Sequence, residues 1–88
     1  MKIKEGFVLR EVMGNNIVIA VGEASRSFRG MVQLNDTATL IWKLISEGNT
    51  KEQIVDALLE KYDADREILE ADVDKSIKML VDNGLVEL

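Results

Sequence analysis

Hydrophobic residues recur at about every second position before residue 34 and at every third or fourth position after residue 35. A period of about two is typical of strands and one of about 3.6 is typical of helices, so the pattern predicts an α+β fold with the strands first. The Gly/Asn turn at residues 13–16 predicts a hairpin, and residues 22–27 are predicted to form a loop. β-prone runs between these turns predict a three-stranded antiparallel sheet, with strands at about residues 7–12, 16–21 and 28–33.

The second and third predicted strands differ in how their apolar residues are distributed. Residues 17–21 are apolar on both faces, which is typical of a strand in the middle of a sheet. Residues 28–33 mix apolar and polar side chains. The pattern therefore predicts that the second strand is central and that the third lies at an edge.

The second half of the chain marks its helix ends with capping residues and glycines. Apolar stripes and these markers predict three helices, at about residues 36–47, 51–62 and 66–83. Asn35 is placed to cap the first helix, and the capping box of Thr50 and Gln53 opens the second. Gly84 follows the third helix. We expect residues 85–88 to pack back on the body of the domain.

The composition favours a single binding domain over a stand-alone enzyme. With 88 residues, the chain has the length of one small domain. It contains no cysteine and no histidine, so it lacks the commonest metal ligands, the commonest general base and any Ser–His or Cys–His nucleophile pair. We therefore expect no catalytic activity, no metal and no cofactor. The lack of cysteine also fits a reducing cytoplasm.

The net charge of the chain disfavours two classes of partner. Eleven basic and sixteen acidic residues give a net charge of −5, which opposes binding to nucleic acid and to anionic membrane surfaces. The longest apolar run, residues 17–21, is far too short to cross a membrane, and no hydrophobic signal segment follows the first residues. The sequence therefore predicts a soluble, cytoplasmic protein.

Three strands followed by three helices, with a tight turn between the last two, are typical of a winged helix-turn-helix with its wing at the front. The chain also carries, in order, the residues and segments Leu34-Asn35-Asp36-Thr37, Leu40-Ile41-Trp42-Lys43-Leu44-Ile45, Gly48, Thr50-Lys51-Glu52-Gln53-Ile54-Val55, Leu58-Leu59-Glu60-Lys61-Tyr62, Asp72-Val73 and Asn83-Gly84-Leu85. Each segment alone is weakly informative. Together, at this spacing and over most of the chain, they resemble the PqqD-like family.

This resemblance implies a peptide-binding module, the RiPP recognition element, which binds the leader segment of a ribosomally made precursor peptide for a modifying enzyme. In that family the leader adds as an antiparallel strand beside the third strand, and its side chains lie in a groove against the third helix. The modifying enzyme, or maturase, is often a radical SAM enzyme with Fe–S clusters, which this cysteine-free chain has no thiolates to bind. The sequence does not distinguish pyrroloquinoline quinone biosynthesis from other peptide pathways. It is also compatible with a homo-oligomer.

The third predicted helix carries a mixed stripe that suits such a groove. If Val73 faces the core, a rotation of about 100° per residue places charged side chains on one flank. The opposite flank carries Ile68, Asp72, Ser76, Met79 and Asn83. We interpret Ile68 and Met79 as sites for aliphatic leader side chains and Asp72 and Ser76 as partners for polar ones. Alternatively, Ile68 and Met79 only widen the core stripe.

The third predicted strand supplies the other half of the candidate site. An unpaired strand edge offers backbone N–H and C=O groups to an added strand. The edge alone favours an ordinary protected strand, but the resemblance to the PqqD-like family implies peptide binding at Arg29, Gly30, Met31, Val32 and Gln33. The alternative is an ordinary edge that Arg29 and Gln33 protect from aggregation.

Two further signals have simpler structural explanations. Trp42 and Tyr62 lie on apolar helix stripes, so both are expected in the core. The acidic residues between positions 63 and 74 lack the glycine-containing loop of an EF-hand and mostly fall within a predicted helix. We attribute the first of them to the preference for acidic residues at helix starts.

A winged-helix DNA-binding protein is the main alternative function. Residues 65–83 carry six acidic and three basic side chains, a balance of −3, so phosphates would repel a recognition helix there. A third hypothesis is a small acidic protein that regulates an enzyme by direct docking. A docking surface for a maturase would have the same appearance in the sequence.

Overall fold

A computed structural model describes residues 1–28 and 30–88 of the chain. In these residues β2, β3 and β4 form a three-stranded antiparallel sheet in that order, and α2, α3 and α4 follow it. The predicted α+β class is confirmed. The elements are β1 (Lys2–Ile3), β2 (Phe7–Val12), β3 (Asn15–Ala20), α1 (Ala24–Ser27), β4 (Met31–Leu34), α2 (Asp36–Ser46), α3 (Lys51–Lys61), α4 (Arg66–Asp82) and β5 (Val86–Glu87).

A two-residue turn joins β2 to β3. Met13 has φ 51° and Gly14 has φ 81°, the pair of left-handed conformations of a type I′ turn, whose twist matches that of the strands. The sequence predicted a longer turn at residues 13–16 and a second strand at residues 16–21. The strand instead spans Asn15–Ala20, because two left-handed residues are enough to reverse the chain.

The approach to β4 differs from the predicted loop and strand. The predicted loop at residues 22–27 contains the one-turn helix α1, and the Phe28 N–H closes that turn by donating to the Ala24 carbonyl at 3.0 Å. The Phe28 ring also packs edge-on against the Phe7 ring, with the centroids 5.3 Å apart. The chain is therefore still completing α1 at residue 28, and the strand begins at Met31 rather than at residue 28.

Helices α2 and α3 begin at the predicted capping residues, whereas the residue before α4, Asp65, makes no capping side-chain hydrogen bond. The Ala38 N–H donates to Asn35 Oδ1 at 2.8 Å at the start of α2. The capping box of α3 is complete: the Gln53 N–H donates to Thr50 Oγ1, and the Thr50 N–H donates to Gln53 Oε1. No helix in residues 1–28 and 30–88 is both long enough and apolar enough to cross a membrane. The last residues of the three helices lie one position before the predicted ends, at Ser46, Lys61 and Asp82.

The core lies between the inner face of the sheet and the three long helices. Trp42 is only 4% exposed, which confirms its predicted core role, and Tyr62 packs half-buried against the same cluster. Burial of such apolar surface is the main stabilising contribution in a domain of this size. The buried apolar side chains are Val18, Leu34, Ala38, Ile41, Trp42, Ile45, Ile54, Val55, Leu58, Leu69, Val73, Ile77, Leu80, Leu85 and Val86.

A second, two-stranded sheet joins the first and last strands. Ile3 of β1 lies opposite Val86 of β5 in antiparallel register, and Leu85 and Val86 are buried. The predicted return of residues 85–88 to the body is confirmed for Leu85 and Val86, whereas Leu88 is 86% exposed. The pairing with β1 was not predicted, because a strand of two residues shows no hydrophobic period.

Candidate functional site

Within residues 1–28 and 30–88, strand β4 pairs only with β3, so half of its backbone N–H and C=O groups point away from the sheet. The hairpin turn determines which half. In a two-residue hairpin the residues that flank the turn form a hydrogen-bonded pair, here Val12 and Asn15, and the pairs alternate from there. Odd-numbered residues of β3 therefore bond to β2. This alternation continues one residue beyond the strand: Val21, also odd-numbered, donates its N–H to the Gly6 carbonyl at 2.7 Å, on the β2 side.

Even-numbered residues of β3 must consequently bond to β4. Val18 lies opposite Val32 and Asn16 lies opposite Leu34, so Val32 and Leu34 use their backbone groups in the ladder with β3. Met31 and Gln33 direct their N–H and C=O groups away from the sheet. Among the described residues no other backbone group bonds to these four groups. The open edge therefore offers four backbone bonds at two alternate residues.

A groove of about 350 Å³ lies between this edge, the first turn of α2 and one flank of α4. Leu34 and Ala38 are buried at its base, Ser76 and Met79 are half-buried, and Asp72 is exposed. Burial of Val73 and Ile77 fixes the orientation of α4 and leaves the flank with Asp72, Ser76 and Met79 facing β4. The full lining consists of Gln33, Leu34, Asn35, Thr37, Ala38, Asp72, Lys75, Ser76 and Met79.

The structure brings together four of the residues that the sequence singled out, namely Gln33, Asp72, Ser76 and Met79. Met31 and Val32 lie in the same edge strand, outside the groove lining. Gly30, with φ 108°, precedes that strand directly. The prediction for Arg29 falls outside the described residues.

Ile68 and Asn83 lie on α4 and at its end, beyond the two ends of the groove lining. Ile68 is 54% exposed and stands one helical turn before Asp72. Asn83 follows α4, where its side-chain amide donates to the Met79 carbonyl at 2.8 Å. Asn83 thereby satisfies one of the free carbonyl groups at the helix end.

Sequence reasoning missed the wall formed by α2. Asn35, Thr37 and Ala38 line the groove because a single residue separates β4 from α2. That one-residue connection was a usable signal, since it forces the first helical turn to lie against the end of the strand. Lys75 was also missed. It lies three residues after Asp72, so the two side chains are neighbours on the surface of α4.

The lining combines opposite charges with hydroxyl, amide and apolar groups. Asp72 and Lys75 contribute one negative and one positive side chain, while Thr37 and Ser76 contribute hydroxyl groups. No three acidic side chains in residues 1–28 and 30–88 are grouped so that they could hold a metal ion. An open ladder beside shallow pockets of mixed polarity is suited to an extended peptide.

The fold is that of a small α+β domain in which the β4 edge lies beside a groove on α4. The structure is similar to TbiB1, solved in complex with the TbiA(beta) leader peptide, with a TM-score of 0.82 and 26% sequence identity over 99% of this chain and 95% of that chain. It is also similar in fold to lasso peptide synthetase B1, which was complexed with the leader peptide, with a TM-score of 0.81 and 20% identity over 99% and 96% of the two chains. No curated protein matches the sequence.

The family described as coenzyme PQQ synthesis protein D (PqqD) matches residues 18–86. That match covers 69 of the 88 residues and includes β4, α2, α3 and α4. The chain belongs to the PqqD family. The resemblance drawn from the sequence segments is thereby confirmed.

Proposed function

We propose that this protein binds the leader segment of a ribosomally synthesised precursor peptide and presents it to a modifying enzyme. The observation that carries this proposal is the pair of residues, Met31 and Gln33, whose free backbone groups border a groove on α4. Family membership and the likeness to TbiB1, a protein solved with a leader peptide, support the same function.

The ladder geometry supports one arrangement of a bound leader. A leader antiparallel to β4 forms hydrogen-bonded pairs with Met31 and Gln33. The leader residue opposite Val32 places its side chain on the same sheet face as Val32 and Leu34, which is the face covered by the helices. Alternate leader residues therefore point toward α4. We expect the leader to carry a pair of recognition side chains two residues apart.

The groove residues divide the recognition between apolar and polar contacts. Met79, which lines the groove together with Ala38, offers a flexible apolar site for an aliphatic leader side chain. Asp72, Lys75 and Ser76 offer charged and hydrogen-bonding partners. A leader that extends beyond the groove would meet Ile68 at one end of α4 and Asn83 at the other, with Gly30 directly before the strand. Arg29 is kept as a proposed contact on the grounds of the sequence alone.

In this proposal the protein is a binding domain and the chemistry belongs to its partner. We propose that residues 1–88 act as one peptide-binding unit and that the partner is a maturase, with a radical SAM enzyme as the first candidate. Among the nine residues of the groove lining, none is a histidine or a cysteine that could serve as base or nucleophile. Pyrroloquinoline quinone biosynthesis is one candidate pathway among those that begin from a precursor peptide.

Affinity capture with a matched variant tests the proposal. The tagged wild-type chain and its Met31→Pro variant are incubated with extract of the native cells, and captured peptides are identified by mass spectrometry. We expect a short precursor peptide to be enriched by the wild type and lost with the variant, because proline removes an N–H that the leader needs. Capture of no short peptide, or equal capture by both proteins, would contradict leader binding at β4.

A further inference from the structure

The sheet of β2, β3 and β4 has apolar side chains on both faces, although the core lies against only one of them. Val18 and Val32 point toward the helices, so the residues next to them along each strand point outward. On this outer face Val8, Ile19 and Met31 lie opposite one another across the three strands. We call these three residues the outer row.

The outer row contributes nothing to the core. In residues 1–28 and 30–88, neither the buried cluster nor the half-buried side chains that pack against it include Val8, Ile19 or Met31. Met31 is 64% exposed, and Val21, the next outward residue after Ile19, is 39% exposed. The core therefore accounts for only one of the two apolar faces of residues 17–21. A contiguous apolar surface left outside the core is typical of a site that binds another protein.

The two ends of the outer face differ in polarity. In the next row toward the hairpin turn, Arg10 and Gln33 lie on either side of Ile17. The Gln33 amide also donates to Asn15 Oδ1 at 3.2 Å on this face. The outer row has no polar member. The continuous apolar part of the face therefore lies at the end of the sheet where β4 begins.

The direction of a bound leader gives this end of the sheet its importance. Strand β4 runs from Met31 to Leu34, so an antiparallel leader runs the other way and leaves the sheet beside Met31. A leader precedes the segment of the precursor that is modified, so that segment emerges at the end that carries the outer row. The leader residue opposite Met31 also places its side chain on the outer face, next to the row.

We infer that the outer row, together with Val21, is the docking surface for the modifying enzyme. The enzyme packs against this face while it holds the precursor segment that emerges beside Met31. This inference rests on the proposed function, because the place of the enzyme follows from the direction of the leader. A bound leader enlarges the apolar face, so the enzyme should bind the loaded domain more tightly than the empty one.

A second copy of this chain is a poorer occupant of the outer face. Three strands about 4.8 Å apart and five residues of about 3.4 Å each span roughly 14 Å by 17 Å, an area on the order of 250 Å². A stable interface needs about 800 Å² from each partner. Two such faces are therefore too small to hold a dimer by themselves. An enzyme gains further contact with the leader and with the emerging segment.

Three lysine variants and an assay of precursor conversion test the inference. Extract of the native cells is depleted of this protein with an immobilised antibody and supplemented with the precursor peptide that the wild-type chain captures. Wild type, Val8→Lys or Val21→Lys is then added, and mass spectrometry follows the modification of the precursor. The matched control is Val12→Lys, which places the same charge on the same face of β2, at the hairpin end. Circular dichroism checks the fold of each variant.

We expect Val8→Lys and Val21→Lys to slow conversion at least about tenfold, because each places a charge in an apolar contact. Val12→Lys should slow it less than about twofold. The leader affinity of all three variants should stay within about twofold of the wild type by calorimetry, since β2 lies about 10 Å from β4.

The contrary outcomes separate this inference from the proposed function. Normal conversion with both Val8→Lys and Val21→Lys, or an equal loss with Val12→Lys, would overturn the docking surface and leave leader binding intact. A parallel loss of leader affinity would place the effect at β4 and would also overturn it. A wild-type dimer in sedimentation velocity that Val8→Lys alone dissociates would make a second copy the occupant. If the wild type captures no precursor, the proposed function fails, and the inference fails with it.

Discussion

Met31 and Val32 are neighbours whose backbone N–H groups point in opposite directions, and this difference provides the sharpest test at the residue scale. Met31→Pro removes an N–H that faces away from the sheet, whereas Val32→Pro removes one that bonds to β3. We expect Met31→Pro to keep the fold and to weaken leader binding by about 1 to 3 kcal/mol. Val32→Pro should lower the stability itself. Calorimetry with the captured leader and circular dichroism of each variant measure the two effects.

The matched control for this prediction is Met31→Ala. Alanine keeps the backbone N–H and removes the 64% exposed side chain, so it should retain most of the affinity. If alanine and proline at this position weaken binding equally, the side chain rather than the ladder holds the leader.

Met79 and Ile68 occupy the same flank of α4 but differ in their place relative to the groove. Met79 lines it half-buried, while Ile68 is 54% exposed and lies outside the lining. A carboxylate at position 79 would lose its hydration water when a leader side chain packs against it, which is unfavourable. Met79→Glu should therefore weaken leader binding by at least about tenfold. Ile68→Glu should cost clearly less. Fluorescence anisotropy with the labelled leader measures both, and a larger loss for Ile68→Glu would move the main contact to the start of α4.

Helical periodicity was enough to place Asp72, Ser76 and Met79 together, since their positions on one helix are fixed by its geometry. It could not show that Ala38 lines the same groove, because that depends on how α2 and α4 pack. The sequence also could not predict the direction of the Met31 N–H. It follows from a two-residue turn at Met13 and Gly14, and the sequence suggested a turn twice as long.

At the scale of elements, the turn between β2 and β3 contains a residue poorly suited to its conformation. Met13 has φ 51° and is 96% exposed, so it adopts left-handed backbone without compensating burial. Asparagine tolerates this conformation and Asn-Gly is the preferred type I′ pair. Met13→Asn should therefore stabilise the domain by about 0.5 to 1 kcal/mol, which corresponds to a rise in Tm of roughly 2 to 8 °C.

Thermal unfolding followed by circular dichroism measures that change, with Met13→Val as the control. A β-branched residue is strained at positive φ, so valine should lower the Tm relative to methionine. An asparagine variant no more stable than the valine variant would show that the turn does not adopt the type I′ conformation.

The elements that sequence patterns located well are those with a repeating period or a local cap. The long helices and β2 fall in this group, since each covers at least one full stripe or starts at a capping side chain such as Thr50. Strands β1 and β5 were missed as a pair because their register, Lys2 opposite Glu87, joins the two ends of the chain. The helix α1 has only four residues and no buried side chain, so it has no apolar stripe from which it could be predicted.

At the scale of the whole molecule, the separation of charge distinguishes peptide binding from DNA binding. The net charge of −5 is concentrated in the helical half, and residues 65–83, which include α4, carry a balance of −3. In a winged helix that binds DNA, a helix of this kind would have to approach phosphates. Repulsion there is long-ranged and weakens with salt, with a Debye length of about 8 Å at physiological ionic strength.

These charges lead to opposite expectations for the salt dependence of the two activities. Leader binding through backbone bonds and apolar pockets releases few counterions, so its dissociation constant should change only a few-fold between about 50 and 200 mM salt. A protein that neutralises six to ten phosphates would lose about 10³ to 10⁵ in DNA affinity over the same range. Anisotropy titrations of the labelled leader and of a labelled duplex decide between them. Tight duplex binding at about 150 mM salt, with a steep log–log slope, would favour the DNA-binding alternative and leave the groove on α4 without its proposed ligand.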